Sequence, residues 1–365
     1  MMIVKGKNNF PKNFKNPPAF APPALKKLVT LDIIGSLARG AIIVVSVFLN
    51  LSKGASNCFV LDDILINPPL ILVNAAVIGL HSGELIWITI KPSGVGSGVV
   101  FRRKDLTPFK DISVSSARVI NTNLASTIDE KGVSISTVEH LMAALSGLGI
   151  DNVLIEITGP EVPIMDGSAS SFVYLLKSAG IREQEESKKF VEIINTVTVK
   201  DGEKWAKLEP FFGFRLNFII DFSHPAVNET GQNASIDFET TSFSEEIARA
   251  RTFGFVNDVD ALRKKGLALG GGLDNAIVLD DFKILNKGGL RQPNEFVMHK
   301  ALDAIGDLYL LGQPILGTYS AFKSGHALNN KLIREIKNQK NSSQTRSFES
   351  ISDAPLAWSK QWSWS

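Results

Sequence analysis

The chain has 365 residues, 44% hydrophobic and 21% charged, with a net charge of +2 at neutral pH. That leaves room for two domains in an ordinary globular composition, and the near-balanced charge excludes a bulk field of the kind that gathers nucleic acid or an anionic membrane. A single cysteine, Cys58, excludes an internal disulfide framework and a cysteine-based zinc site, so any metal must be held by Asp, Glu or one of five histidines: His81, His140, His224, His299 and His326.

Residues 1–27 are rich in Lys and Pro and carry no acid, the first being Asp32, and they are expected to be poorly ordered. Two apolar stretches follow. "GAIIVVSVFLNLS" is short of the ~20 residues a membrane span needs, and "ILINPPLILVNAAVIGLHSG" is broken by Pro68 and Pro69. Neither starts early enough for an ordinary signal peptide. Residues 1–72 therefore read as an atypical extension without stable membrane insertion; the alternatives are a targeting segment or a stretch translated from an upstream start.

From about residue 73 the pattern becomes regular. "LIWITIKP" alternates as a strand, and "STVEHLMAALSGLG" reads as a helix with Ser136 as N-cap, Glu139 completing a capping box, and Gly147 or Gly149 closing it. "NVLIEITG" predicts a strand and "SSFVYLLKSAG" a helix. The "EQEESKK" run at 183–189 reads as a solvated connector between domains at 73–186 and 190–337. The second half starts with strands, "VEIINTVTVKDG", "WAKLEP", "FRLNFIIDF" and "ASIDFET". Helical patterns follow in "SEEIARARTFGF", "VDALRKKG" and 297–311, and 338–365 reads as a loosely held, Trp-bearing tail. The fold class expected is α+β in two halves.

The 297–311 helix carries the chemistry. His299, Asp303 and Asp307 recur every four residues, and residues so spaced stand one turn above another on one face. His299 and Asp303 can then share a metal, but a hydrolytic zinc site usually takes three protein ligands and an open position. His140 is the best third ligand, because the adjacent Glu139 would bring a general base to the same place. His326, in "FKSGHALNN", is a candidate acid for a leaving group, with Asp307 placed to orient it or hold its protonated form. His224, before Pro225, reads as structural, and spacing leaves His81 undecided. A rival reading uses 269–276 within "LALGGGLDNAIV" as a phosphate cradle of a sugar or isoprenoid kinase-like phosphotransferase. No Gly-Lys-Ser/Thr follows it, so it is not a Walker A loop.

Six blocks taken together, "ISTVEHLMAALSGLGIDN", "EVPIMDGSA", "RARTFGF", "LGGGLDNAIV", "HKALDAIGDLYLLG" and "KSGHALNNKL", resemble in order the signature blocks of the UDP-3-O-acyl-N-acetylglucosamine deacetylases, the zinc amidohydrolases of the committed step of lipid A synthesis. The resemblance implies zinc (Zn2+) on His140, His299 and Asp303, Glu139 as base, His326 as acid and Asp307 as its support. It further implies Thr252 at the carbonyl oxygen of the scissile amide, Lys300 at the nucleotide sugar, Phe253 and Phe255 along an apolar passage for the acyl chain, and His81 near the site without a firm role. The fold it implies is two similar domains, each a β-sheet layer packed on a helix pair, with the helices sandwiched between the two sheets and the site where the domains meet. The expected substrate is UDP-3-O-acyl-N-acetylglucosamine and the expected working form a cytoplasmic monomer. The family's short first strand, about a dozen residues before "GLHSG", has no match in 1–72.

Overall fold

The computed structural model describes residues 73–355, together with the backbone of the strands Thr30–Leu37, Ala41–Phe48 and Leu65–Ile66. The rest of the expected extension, and the end of the expected tail at 356–365, lie outside the described residues.

The structure is mixed α and β, with several sheets. In the first large sheet, Val73–Ile78 pairs antiparallel with Leu85–Pro92, which pairs with Val153–Ile157; Val99–Arg103 joins in parallel and Lys110–Ser113 closes that edge. On the other edge the backbone of Ala41–Phe48 and Thr30–Leu37 continues the sheet beyond Val73–Ile78. The alternation read in "LIWITIKP" is real: Ile86, Ile88 and Ile90 are buried while Leu85 and Trp87 face outward. The strand before "GLHSG" is thus built from Val73–Ile78.

The second large sheet is organised by Ile315–Phe322. It pairs antiparallel with Lys204–Glu209 and parallel with both Phe190–Ile193 and Phe214–Ile219, the latter carrying Asn233–Asp237. Ser343–Arg346 adds to Phe190–Ile193, and Phe348 stacks edge-on against Phe190 at 5.5 Å. The part of the expected tail up to Ala354 is therefore docked, because it continues a sheet edge and buries an aromatic ring.

Three helices position the site. Glu139–Gly147 is buried throughout, Glu295–Tyr309 nearly so, and His326–Asn338 is amphipathic. The Glu139 and His299 helices cross in direct contact. A Cβ on Gly306 would stand 2.0 Å from the Glu139 carbonyl oxygen, so only glycine permits that approach. The His299 helix also packs on the His326 helix and on Phe214–Ile219, while the His326 helix lies on Val197–Asp201 and Lys204–Glu209.

Three local expectations are corrected. No capping box forms: the helix starts at Glu139 with Val138 as N-cap, and the Glu139 carboxylate turns away to accept the Ser126 N–H at 3.0 Å. Gly149, at φ +65°, does end the helix. The 183–189 run is not wholly solvated. Lys188 is buried because its ammonium is taken up by Asp151 and the Gly149 carbonyl, and Gln184 bonds Asn152 at 2.8 Å. "SEEIARARTFGF" is a short helical turn, Phe243–Ile247, followed by a strand, Phe253–Phe255. Among the described residues, no helix is long and apolar enough to cross a membrane.

Candidate metal centre and active site

The first turn of the His299 helix is anchored before any chemistry begins. Glu295, fully buried, accepts the Arg251 N–H at 3.0 Å and its Nε at 2.8 Å through one oxygen, and the Arg291 N–H at 2.6 Å through the other. This fixes the chain at Ala250–Arg251, and the Ala250 carbonyl in turn accepts from His299 Nδ1 at 3.0 Å. A carbonyl can only accept, so His299 carries its proton on Nδ1 and presents a lone pair at Nε2.

That lone pair faces two partners. Asp303 Oδ1 lies 3.3 Å from His299 Nε2 and 3.5 Å from His140 Nε2, and the two imidazoles meet edge to face with centroids 5.0 Å apart. One ligand atom from each of His140, His299 and Asp303 falls within 4.8 Å of the others, all three residues buried. Burial pushes the His299 imidazole down to about 3, against the pull of Asp303. Burial would raise the Asp303 carboxyl, but His299, Lys300 and His140 outweigh it and hold Asp303 well below the usual carboxylate range. Neutral imidazole beside ionised carboxylate is the protonation state a cation requires. Among the described residues, Asp303 Oδ1 and His140 Nδ1 are buried without hydrogen-bond partners, and an orphaned carboxylate oxygen between two imidazoles is costly unless a cation completes it. The two-nitrogen, one-oxygen donor set fits zinc or a neighbouring first-row divalent ion. The sequence-predicted trio is thus brought together.

Glu139 stands beside His140 on the same helix end. Burial pushes its carboxyl up, against the pull of His326 and His140. One turn beyond Asp303, Asp307 bonds His326 Nδ1 through Oδ2 at 2.8 Å; the same oxygen accepts Asn329 Nδ2 at 2.8 Å, and Oδ1 accepts the Ser126 hydroxyl at 2.6 Å. Burial alone would depress His326, but Asp307, with Glu139 and Asp303 behind it, outweighs that and lifts it to about 9. At neutral pH His326 is therefore a protonated, buried acid.

The remaining candidates lie around this centre. Lys300 Nζ bonds Asp303 Oδ2 at 2.7 Å and sits 5.8 Å above the Phe253 ring. Thr252, two residues after Ala250, is held through backbone bonds to Gly167 and Ile277. Phe253 and Phe255 lie on one short strand paired with Ile277–Leu279, and both rings meet Phe222, at 5.4 Å and 6.1 Å. The Phe253 ring centroid also lies 6.3 Å from that of His299, which links the aromatic cluster to the candidate metal site. The His81 backbone N–H goes to Glu161 at 2.8 Å, the carboxylate that also accepts the Thr137 hydroxyl two residues before Glu139, and its ring nitrogens have no hydrogen-bond partner among the described residues. His224 is structural, as expected. Its Nδ1 caps the short helix Pro225–Asn228 and its Nε2 donates to the Asp280 carbonyl at 2.7 Å.

The glycine loop does not form a phosphate cradle. Its N–H groups are spent on the protein: Leu269 on the His81 carbonyl, Gly270 on Leu80, Gly271 on Ala268 and Gly272 on Asn275 Oδ1. A Cβ on Gly270 would lie 2.2 Å from the Gly79 carbonyl oxygen, so glycine here serves close packing against the loop that carries His81. The phosphotransferase reading finds no support.

The profile of the UDP-3-O-acyl N-acetylglycosamine deacetylases matches residues 72–338, a span containing every residue of this centre. The chain belongs to that family. A relative from Alcanivorax borkumensis, named UDP-3-O-acyl-N-acetylglucosamine deacetylase, is 53% identical over 287 residues, covering 79% of this chain and 94% of its own. Family membership supports a hydrolase that acts on an amide. Glu295, Arg251, Ser126 and Asn329 went unread in the sequence. Each acts across a large gap in the chain, and no spacing marks such a pair.

Proposed function

We propose that the protein is a zinc-dependent deacetylase that hydrolyses the N-acetyl group of UDP-3-O-acyl-N-acetylglucosamine to give UDP-3-O-acyl-glucosamine and acetate, in the committed step of lipid A synthesis. The observation that carries this reading is the buried triangle of His140, His299 and Asp303, flanked by Glu139 on one side and the Asp307–His326 pair on the other, in a chain of a deacetylase family.

His140, His299 and Asp303 would hold the ion. When bound, zinc supplies Lewis acidity to the acetamide carbonyl and acidifies a water. The chain's own residues do the rest. Glu139, made more basic by burial, takes the proton of the attacking water. The Thr252 hydroxyl donates to the carbonyl oxygen as negative charge develops there. His326, protonated at neutral pH, gives its proton to the departing glucosamine nitrogen while Asp307 steadies the imidazole. The carbon–nitrogen bond breaks, acetate and the free amine leave, and turnover is completed when Glu139 gives up the proton it took and His326 regains one. Lys300, beside Asp303, positions the anionic nucleotide sugar, and Phe253 and Phe255 wall the passage for the acyl chain, with His81 near the site. The two-domain arrangement, with helices between two sheets, is part of this reading; the contact of the Glu139 helix with the His299 helix supports it.

The deciding measurement is metal content of the purified protein together with acetate release from the UDP-sugar. Bound metal with acetate release is the expected result. Metal-free protein, or ATP consumption without acetate, overturns it.

A further inference from the structure

Ser126 occupies a place that the mechanism above does not use. It is buried in the loop before the strand Thr127–Glu130, far along the chain from Asp307. Its backbone N–H donates to Glu139 Oε2 at 3.0 Å, and its hydroxyl donates to Asp307 Oδ1 at 2.6 Å. Its own carbonyl accepts the Val138 N–H at 3.4 Å, one residue before Glu139. One small residue therefore touches the carboxylate on each side of the metal centre, on two different helices. A residue serving only to fill space there would need no hydroxyl, and burying one without a partner is costly.

We infer that Ser126 is a positioning residue that couples the base to the acid: its main chain aims Glu139, and its hydroxyl sets the orientation of the Asp307 carboxylate and the strength of its hold on the His326 imidazole. This rests on the deacetylase reading. The hydroxyl competes with the imidazole for the electron density of Asp307. A donor bonded to a carboxylate weakens that carboxylate's hold on other protons. Asn329 bonds the oxygen that already faces His326, whereas Ser126 bonds the other oxygen and so fixes the rotation of the carboxylate plane. The charged and titratable groups around His326 are Asp307 and Asp303 on the His299 helix and Glu139 on its own helix; Ser126 adjusts the first of these.

The test compares Ser126→Ala and Ser126→Thr with the wild type, all metal-loaded, by acetate release across pH and by NMR titration of the His326 imidazole without substrate. Ser126→Ala is expected to keep its metal and its KM. Its kcat should fall roughly ten- to a hundredfold, the range for one lost hydrogen bond to a charged group. Its His326 titration should move to higher pH, because Asp307 without the hydroxyl holds the imidazolium more tightly. Ser126→Thr should restore both, and Ser126→Ala should cost little further activity in an Asp307→Asn background. An unchanged titration in Ser126→Ala, or a kcat loss that Thr does not rescue and that only tracks a lower Tm, overturns the inference. Failure of the wild type to release acetate overturns the deacetylase reading, while the NMR titration still reports whether Ser126 governs Asp307.

Discussion

His299 and His326 are both buried and both have a carboxylate beside them, yet their protons are held in opposite ways. His299 is pushed down to about 3 and His326 up to about 9. Burial favours the neutral form of both. The difference lies in what the carboxylate is free to do. Asp303 is shared between Lys300, His299 and His140, and its nearest oxygen is 3.3 Å from His299 Nε2. Asp307 points an oxygen at His326 Nδ1 at 2.8 Å. The same helix row thus yields a lone pair for a cation at one end and a loaded proton donor at the other. A row of like residues has no single chemistry; the partners of each turn decide it.

The largest way to break the comparison is at the metal end. His299→Ala or Asp303→Ala should remove metal and activity together, measured by metal analysis and acetate release. Retention of stoichiometric metal in either variant would show that the triangle is not the binding site. Next in size, Glu139→Ala should keep the metal and lose roughly 10²–10⁴-fold in turnover, the usual share of a positioned base. Loss of metal in that variant would make Glu139 a ligand instead.

Asp307→Asn tests the other end. With the carboxylate charge gone, burial dominates and His326 should titrate lower, so the alkaline limb of the pH–rate profile moves to lower pH while metal stays bound. An unmoved limb would remove Asp307 from its role.

The two histidines should also shape stability in the metal-free protein, in opposite senses. For His326 the folded state binds the proton more tightly than the unfolded one, so its contribution is complete below about 6.5 and is lost as pH rises through about 9. For His299 the folded state rejects the proton, so its contribution is complete above about 6.5 and is lost as pH falls toward about 3. Melting curves across pH should show Asp307→Asn flattening the alkaline side alone and His299→Ala the acid side alone. Identical flattening in both variants would contradict the assignment.

The smallest effect concerns the aromatic strand. Phe255 is half-buried, against Phe222 and His224. If it walls an acyl passage, where each buried methylene contributes about 0.8 kcal/mol, Phe255→Ala should lower kcat/KM for a long-chain substrate far more than for a short-chain analogue, with Tm little changed. Equal losses with a large fall in Tm would make the ring ordinary packing.

The sequence alone determined what local periodicity can encode. The i, i+4 row of His299, Asp303 and Asp307, the adjacency of Glu139 and His140, and the alternation of Ile86, Ile88 and Ile90 are all short-range patterns, and each stands in the structure as read. The same locality misread Glu139 as half of a capping box, because its true partner, the Ser126 N–H, lies outside the helix. It also left the Gly270 loop ambiguous, since only the approach of Gly79 shows that its glycines serve packing. The docking of Ser343–Arg346 was hidden for a related reason: a polar segment becomes a strand when a sheet edge is open beside it. Only the tertiary structure decided that His140 faces Asp303 across 163 residues of chain, from position 140 to 303, and that Asp307 meets His326 while Asp303 is shared with Lys300. The physical reason is that burial and the distance between charges set protonation, and both are properties of the packed helices, where a contact such as Gly306 against Glu139 fixes what touches what.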